Sequence, residues 1–224
     1  MFERTEYTQA AIEPRVEMSL RRSENIGAAK SLIKRAFDFT FALMALAFLS
    51  PILIVVAILV KLDSKGPVFF LQRRSGLNGE LFHIYKFRSM TVTDDGDKVV
   101  QAKVNDQRVT RVGKILRRTS IDEVPQLINI VRGEMSIVGP RPHALAHDKE
   151  FAQTSQRYND RFRARPGLTG LAQVRGYRGE IQSEQDLHGR IDSDNEYIER
   201  WSLALDIATI FKTVPLIFKD SNAY

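Results

Sequence analysis

The sequence contains no cysteine. That excludes disulfide cross-links, zinc–thiolate sites and a cysteine nucleophile, and it fits a reducing compartment. It also lacks a P-loop, a dinucleotide fingerprint and a serine-nucleophile elbow, so three common routes to nucleotide or acyl chemistry are absent. There is no fixed-period repeat and no low-complexity tract. His143 and His147 stand four apart without an acidic partner at metalloprotease spacing, which reads as a non-metal pair. What remains is a chain of 224 residues, 43% hydrophobic and 27% charged, enough for one substantial domain and short of two ordinary ones. Its formal charge of +6 suits anionic partners: nucleic acid, acidic headgroups or phosphorylated metabolites.

From Phe39 to Val60 run 22 residues without a charge. As a straight helix they would extend roughly 33 Å, about the hydrocarbon thickness of a bilayer. Ser50 and Pro51 interrupt the run. Pro51 removes a backbone donor and favours a bend, and the Ser50 hydroxyl can satisfy a carbonyl freed by it. Arg21, Arg22, Lys30, Lys34 and Arg35 precede the run, and Lys61, Lys65, Arg73 and Arg74 follow it. A spanning helix usually sets its richer basic flank in the cytoplasm, so two basic flanks favour a re-entrant helix that dips into one leaflet and returns. A kinked span and a buried helix of a soluble protein are the alternative readings. The run begins too late for a secretory signal, and its basic far end does not resemble a cleavage site. The organisation expected is a flexible tail over residues 1–30, a membrane helix over 31–62 and a cytosolic domain with interfacial helices over 63–224.

The fold class expected is α/β, predominantly helical, with a small β-hairpin or sheet. Val68–Gln72 and Leu81–Phe87 read as strands joined by the turn residues Gly76, Asn78 and Gly79. Lys86 and Arg88 share a parity and are expected on one face. Residues 91–107 read as a polar loop, and Asp94–Asp97 lacks calcium-loop spacing. Arg111–Arg118 reads as a helix with Val112, Ile115 and Leu116 on one side and Arg111, Lys114 and Arg118 on another, a pattern that usually means a solvated face. Glu123–Val131 reads as a short helix. Tyr197–Phe218 reads as mostly helical, bent or ended by Pro215, with an apolar stripe that serves a core or a bilayer surface.

The most chemically loaded stretch is "TSIDEVPQL", residues 119–127. Asp122 and Glu123 lie at a helix start, where acids commonly meet the positive end of the dipole. Ser120 and Glu123 have capping-box spacing, but Pro125 favours Asp122 as the cap, since proline is tolerated in a first turn. The same place binds phosphate and keeps a carboxylate ionised, ready to act as nucleophile or metal ligand. Attack on phosphorus needs positive charge nearby, and Arg117, Arg118, Arg132 and Arg141 flank the pair. Gly139–Pro142 is a stiff turn presenting the Arg141 guanidinium, which can grip two phosphate oxygens at once; a purely structural turn is its plainer reading.

Six ordered stretches carry a resemblance: "KRAFDFTFALMALAFLSPIL", "FFLQRRSGLNG", "KFRSM", "LRRTSIDEVPQLINIVRGEMSIVGPRP", "RPGLTGLAQVRGYRGE" and "YIERWSLALDIATIFKT". Over about residues 31–220 the chain resembles the bacterial sugar transferases, the monotopic polyprenyl-phosphate phosphoglycosyl transferases. The resemblance implies transfer of a hexose-1-phosphate from a UDP-sugar to undecaprenyl phosphate in exopolysaccharide assembly, with glucose the first choice of sugar and galactose the second. It casts Asp122 as the nucleophile that forms a phosphosugar intermediate and Glu123 as a ligand of Mg²⁺. It places Arg141, between Pro140 and Pro142, and Lys86, Arg88 and Arg118 around phosphate or nucleotide. Ser50 and Pro51 match the helix-breaking dipeptide of a re-entrant helix at the cytosolic face of the bacterial inner membrane. The expected partners are the UDP-sugar, undecaprenyl phosphate and membrane lipids, with no nucleic acid; a homo-oligomer is compatible. Larger members carry extra spanning helices, and this chain reads as the compact form. Two other classes compete: a membrane-anchored scaffold with a basic recruiting surface, and a nucleic-acid binder, which lacks a recognisable binding module.

Overall fold

In the computed structural model, residues 27–91, 106–179 and 181–219 are described. The Asp94–Asp97 turn and most of the expected tail lie outside them. Gly27–Lys30 forms a helical turn, α1, with Ala28 buried, so the folded part begins before residue 31.

Helix α2, Leu32–Asp63, starts where Ser31 Oγ accepts the Lys34 amide at 3.2 Å. Pro51 lies inside the helix and does not end it. Proline offers no N–H to the carbonyl four residues back, which belongs to Ala47. Ser50 Oγ donates to that oxygen at 2.8 Å, so the donor lost at Pro51 is replaced one residue earlier. The most apolar 18-residue window of α2 is only 11% buried, unlike a core helix of a soluble domain. Both ends of α2, however, are fastened to the rest of the fold. Near its start, Arg35 donates to Ile130 O and Val131 O, and Asp38 accepts from Ser136 Oγ and the Ile137 amide. At its end, Val56 and Val60 pack with Phe87 and Leu116, and Asp63 accepts the Val112 amide at 3.0 Å. Between these anchors Phe48 is 82% exposed.

Strands β1 (Phe69–Ser75) and β2 (Leu81–Phe87) form an antiparallel hairpin with Leu71 opposite Tyr85. The first strand runs three residues beyond the expected Gln72, because the register stays paired to Ser75 opposite Leu81. The turn needs Asn78 in the left-handed region (φ 55°), which asparagine tolerates. Helix α3 spans Arg111–Arg118, as its periodicity indicates, but of the expected apolar side only Val112 and Leu116 pack inward; Ile115, one step round the helix, is exposed beside Lys114 and Arg118. The expected helix Glu123–Val131 divides into a 3₁₀ turn, Ile121–Glu123, and α4, Gln126–Arg132. Strand β3 (Ser136–Val138) pairs in parallel with β4 (Gly167–Thr169), and α5 (Leu145–Thr154) lies between them in sequence. Leu127, Ile130, Met135, Ile137, Val138, Ile84 and Tyr197 build the main core.

After the short α6 (Leu171–Val174) come α7 (Glu184–Arg200) and α8 (Leu203–Lys219). The single helix expected over Tyr197–Phe218 is thus broken at Trp201–Ser202, and Pro215 sits within α8. The break has a polar cause. Fully buried Asp206 accepts from Lys34 Nζ at 2.8 Å, Tyr197 OH at 2.7 Å and Trp201 Nε1 at 3.1 Å. Holding one carboxylate against both α2 and the end of α7 requires the chain to turn there. Ile207, Phe211 and Val214 remain exposed on the far side of α8.

Candidate active site

Lys86, near the end of β2, donates to Glu123 Oε1 at 2.8 Å. Arg141 closes a two-pronged pair on the same carboxylate, Nη2 to Oε1 at 2.6 Å and Nη1 to Oε2 at 3.1 Å. Three sequence-distant segments thereby meet at one side chain: the hairpin, the turn after α3 and the Pro-Arg-Pro turn after β3. The last of these is stiffened from behind. Pro140 O accepts the Gly167 amide at 2.9 Å, and Arg141 O accepts from Arg161 Nη2 at 2.7 Å. A shallow cleft lies beside this turn, lined in part by Arg141, His143 and Arg161.

The acid pair is presented by an unusual backbone. Ser120 adopts φ 56°, a left-handed conformation that costs a non-glycine residue of order 1 kcal/mol and turns the chain sharply out of α3. Ser120 Oγ accepts from Arg178 Nη2 at 2.7 Å, which helps hold the bend. Asp122 is therefore not the cap of α4; Pro125 occupies that position, where its missing N–H has no consequence. Freed from capping, the Asp122 carboxylate accepts no hydrogen bond from the described residues.

The two acids differ in charge state. Burial resists ionisation of Glu123, but Arg141 and Lys86 outweigh it and hold this carboxyl well below the usual range. Burial, reinforced by the charge of Glu123, pushes Asp122 up to about 6, against the pull of Lys86, Arg117 and Arg141. One acid is a fixed anion that orders two cations. The other is half-buried, unrestrained and surrounded by positive charge, the setting in which a carboxylate can act on an anionic substrate. Among the described residues no three His, Asp or Glu side chains form a ready-made metal cage. The neighbouring carboxylates are nonetheless hard oxygen donors of the kind Mg²⁺ takes when phosphates and water complete its shell, so the donor set fits that ion.

The other expected site residues fall elsewhere. Arg118 is exposed on the outer side of α3; Arg117, the neighbour on the opposite side, reaches Met90 Sδ at 3.3 Å and acts on Asp122 through its charge. Arg88 does not share the face of Lys86. The strand ends at Phe87, and Arg88 turns to donate to Val60 O at 3.2 Å and Ser64 O at 2.6 Å, buried at the end of α2. Three consecutive residues thus do three jobs: Lys86 holds Glu123, Phe87 packs on Val56 and Val60, and Arg88 caps the helix carbonyls. Gly66 passes over this guanidinium at φ 131°, and a Cβ there would fall 2.1 Å from Arg88 Nη1. Gly66→Ala is expected to destabilise the fold by about 1–3 kcal/mol, a shift readable in thermal unfolding; unchanged stability would mean the clamp is not held as described.

The layer behind Arg141 is assembled from residues far apart in sequence and follows no local pattern. His143 Nδ1 lies 2.7 Å from Tyr158 OH, which donates to Asp148 Oδ1, while Arg161 Nε donates to Asp194 at 2.7 Å. Burial, with Arg161 and Arg190 close by, depresses His143 well below its ordinary value and keeps it neutral. His147 instead stacks on Phe151.

Comparison with known proteins identifies the family of the chain. The sequence profile of the bacterial sugar transferases matches residues 29–220. A UDP-glucose:undecaprenyl-phosphate glucose-1-phosphate transferase of Caulobacter vibrioides is 48% identical over 196 residues, covering 88% of this chain and 73% of that protein. A protein of the same name from Escherichia coli K12 is 46% identical, covering 89% of this chain and 43% of its own length. The exopolysaccharide production protein PSS of Rhizobium leguminosarum bv. phaseoli is 47% identical, covering 82% of this chain and 94% of that protein. The chain thus spans less than half of the E. coli relative and most of the other two.

Proposed function

The chain belongs to the bacterial sugar transferase family and is an enzyme of that class; from that premise we propose that it moves glucose-1-phosphate from UDP-glucose to undecaprenyl phosphate through an aspartyl intermediate, as an initiating step of exopolysaccharide assembly. The observation that carries the reading is Asp122, an unrestrained carboxylate facing Lys86, Arg117 and Arg141. An Asp122 oxygen attacks the phosphorus next to the sugar. The bond from that phosphorus to the bridging oxygen breaks, and UMP leaves with the electron pair. The lipid phosphate oxygen then attacks the same phosphorus and expels the Asp122 carboxylate, giving the lipid diphosphosugar. Arg141 and Lys86, ordered by Glu123, stabilise the non-bridging oxygens in both steps. Mg²⁺, held by Glu123 beside Asp122, would supply further neutralisation of the diphosphate. Glucose takes precedence over galactose because relatives of about 48% identity carry glucose in their names.

The lipid acceptor keeps its tail in hydrocarbon, so the site must sit at headgroup level. A re-entrant course for α2 at the cytosolic face is supported by both its ends being fastened to one domain while its middle is bare. A straight span would carry one end away to the opposite side. Single cysteines at residues 36 and 62, in a chain with none, test this: labelling of both from one side of the membrane is expected, and labelling from opposite sides would rule out re-entry.

The charge state of Asp122 gives a pH profile. The attacking form is the ionised one, so adduct formation is expected to rise as pH increases through about 6 and then level off. A rate that falls across that interval, read in single-turnover assays with UDP-glucose alone, would contradict the role. For the overall function, UMP release across a panel of UDP-sugars with undecaprenyl phosphate and Mg²⁺ is the direct assay, with UDP-glucose expected to lead; a failure to release UMP from any of the UDP-sugars would overturn the proposal.

A further inference from the structure

His143 is buried two residues after Arg141, and its neighbours fix its tautomer. Arg190 Nη1 lies 3.3 Å from His143 Nε2, and a guanidinium has no lone pair to offer, so Nε2 must accept. The proton of the neutral ring is then on Nδ1, which lies 2.7 Å from Tyr158 OH. That hydroxyl gives its own proton to Asp148 Oδ1 and keeps an oxygen lone pair for Nδ1–H. Arg161 Nη1 also lies 3.2 Å from Nδ1, but the other nitrogens of that guanidinium are engaged by Asp194 and Arg141 O. Both ends of the imidazole therefore agree on one state.

Arg190 carries this arrangement toward the acid pair. Its Nη2 donates to Gly179 O at 2.7 Å, in the segment between α6 and α7. Gly176, at φ 98°, and Gly179 bracket Tyr177 and Arg178, so this backbone has wide freedom unless something holds it. Two consecutive residues of α7 do so. Arg190 takes the Gly179 carbonyl, and Gly189 gives Tyr177 a flat seat: a Cβ there would fall 2.3 Å from Tyr177 Cζ. From this segment Arg178 reaches Ser120 Oγ at 2.7 Å. Ser120 is the left-handed residue two positions before Asp122. A continuous chain of contacts thus runs from the imidazole to the backbone that aims the carboxylate, and the same imidazole stands beside the turn that carries Arg141.

We propose that His143 is a positioning residue that ties the two walls of the site together, holding Arg190 through Nε2 so that Arg178 braces Ser120 and, with it, Asp122. It rests on the reading of Asp122 as the attacking carboxylate. Packing alone does not account for the ring. Stacking on Tyr158 and edge contact with Phe151 would suit a phenylalanine equally well, whereas the Nε2 lone pair is what Arg190 requires. Without that acceptor, Arg190 loses a buried partner and Gly179 O loses a fixed donor.

The test uses the full chain in detergent. Nitrogen NMR of histidine-labelled wild-type protein, with the His143 signals identified by their absence from His143→Gln, is expected to show the proton on Nδ1 and none on Nε2. Adduct formation is then followed in single-turnover reactions with UDP-glucose and Mg²⁺. His143→Phe, which keeps the ring and removes the acceptor, should slow the step by about 10²-fold while UDP-glucose binding changes little. His143→Gln, whose amide oxygen can reach the place of Nε2, should recover at least about tenfold of that loss. Arg178→Met should slow the step to a similar degree, and the double variant His143→Phe with Arg178→Met should be no slower than the worse single one, because the two act in series. A proton found on Nε2 would overturn the proposal. So would a His143→Phe protein that reacts at the wild-type rate, or a double variant whose loss is the product of the single losses. If the wild-type protein forms no adduct, the reading of Asp122 fails and the aiming role falls with it; a wild-type adduct beside an unaffected His143→Phe sinks the aiming role alone.

Discussion

Asp122→Asn is expected to remove the covalent phosphosugar and to lower UMP release by about 10³-fold or more, since an amide cannot serve as the attacking anion. The substitution is nearly isosteric and leaves Glu123 with Lys86 and Arg141, so binding of the UDP-sugar should survive. Stability should move the opposite way from activity. Burial and the charge of Glu123 raise the folded-state value of Asp122 from 3.8 to about 6. Between those values the folded protein holds a proton that the unfolded chain has released. Stability therefore falls as pH rises through that window, and above about 6 the ionised Asp122 carries the full cost. Asparagine never pays it, so the inactive variant should melt higher than wild type at neutral pH. A variant that is both inactive and less stable would point to a structural role for Asp122.

The second large effect is expected at Asp206. Its carboxylate is fully buried and takes three donors, Lys34, Tyr197 and Trp201, which join the start of α2 to the end of α7 and the start of α8. Asp206→Ala leaves the buried Lys34 ammonium with Asp38, 3.7 Å away, as its remaining acid, and leaves two further donors without their acceptor. Breaking a buried pair by removing one partner costs about 3–5 kcal/mol. Tyr197→Phe, which removes one neutral donor, should cost about 1 kcal/mol. The double variant Lys34→Met with Asp206→Leu should lose less than the two single changes summed, because neither charge is then stranded. Unfolding of the detergent-solubilised protein reads all three; an Asp206→Ala protein as stable as wild type would show that the network does not secure α2.

Local pattern made some of this legible and long-range chemistry hid the rest. Alternation and turn residues are short-range signals, so the hairpin and α3 are readable from sequence, and Leu81–Phe87 coincides with its strand. The acid pair is visible as a motif, but its geometry is not, because the left-handed turn at Ser120 follows from no residue preference. Strand parity extends only as far as the strand, which is why Arg88 leaves the site while Lys86 stays. On α3 one helical step decides which guanidinium faces the acids, and the packing of Val112 and Leu116 on α2 turns Arg117 inward and Arg118 outward. The break before α8 depends on Lys34 meeting Asp206 across 172 positions, a pairing with no sequence signature.

The most direct measurement of the central claim is a single-turnover reaction of the purified protein with UDP-glucose and Mg²⁺ in the absence of lipid acceptor, followed by mass analysis of the intact chain and its peptides. A hexose-phosphate adduct mapping to Asp122, released as lipid diphosphosugar when undecaprenyl phosphate is added, is the predicted result. Rapid lipid-dependent UMP release from a protein that never carries an adduct would contradict it, and would leave direct transfer between the two substrates as the route.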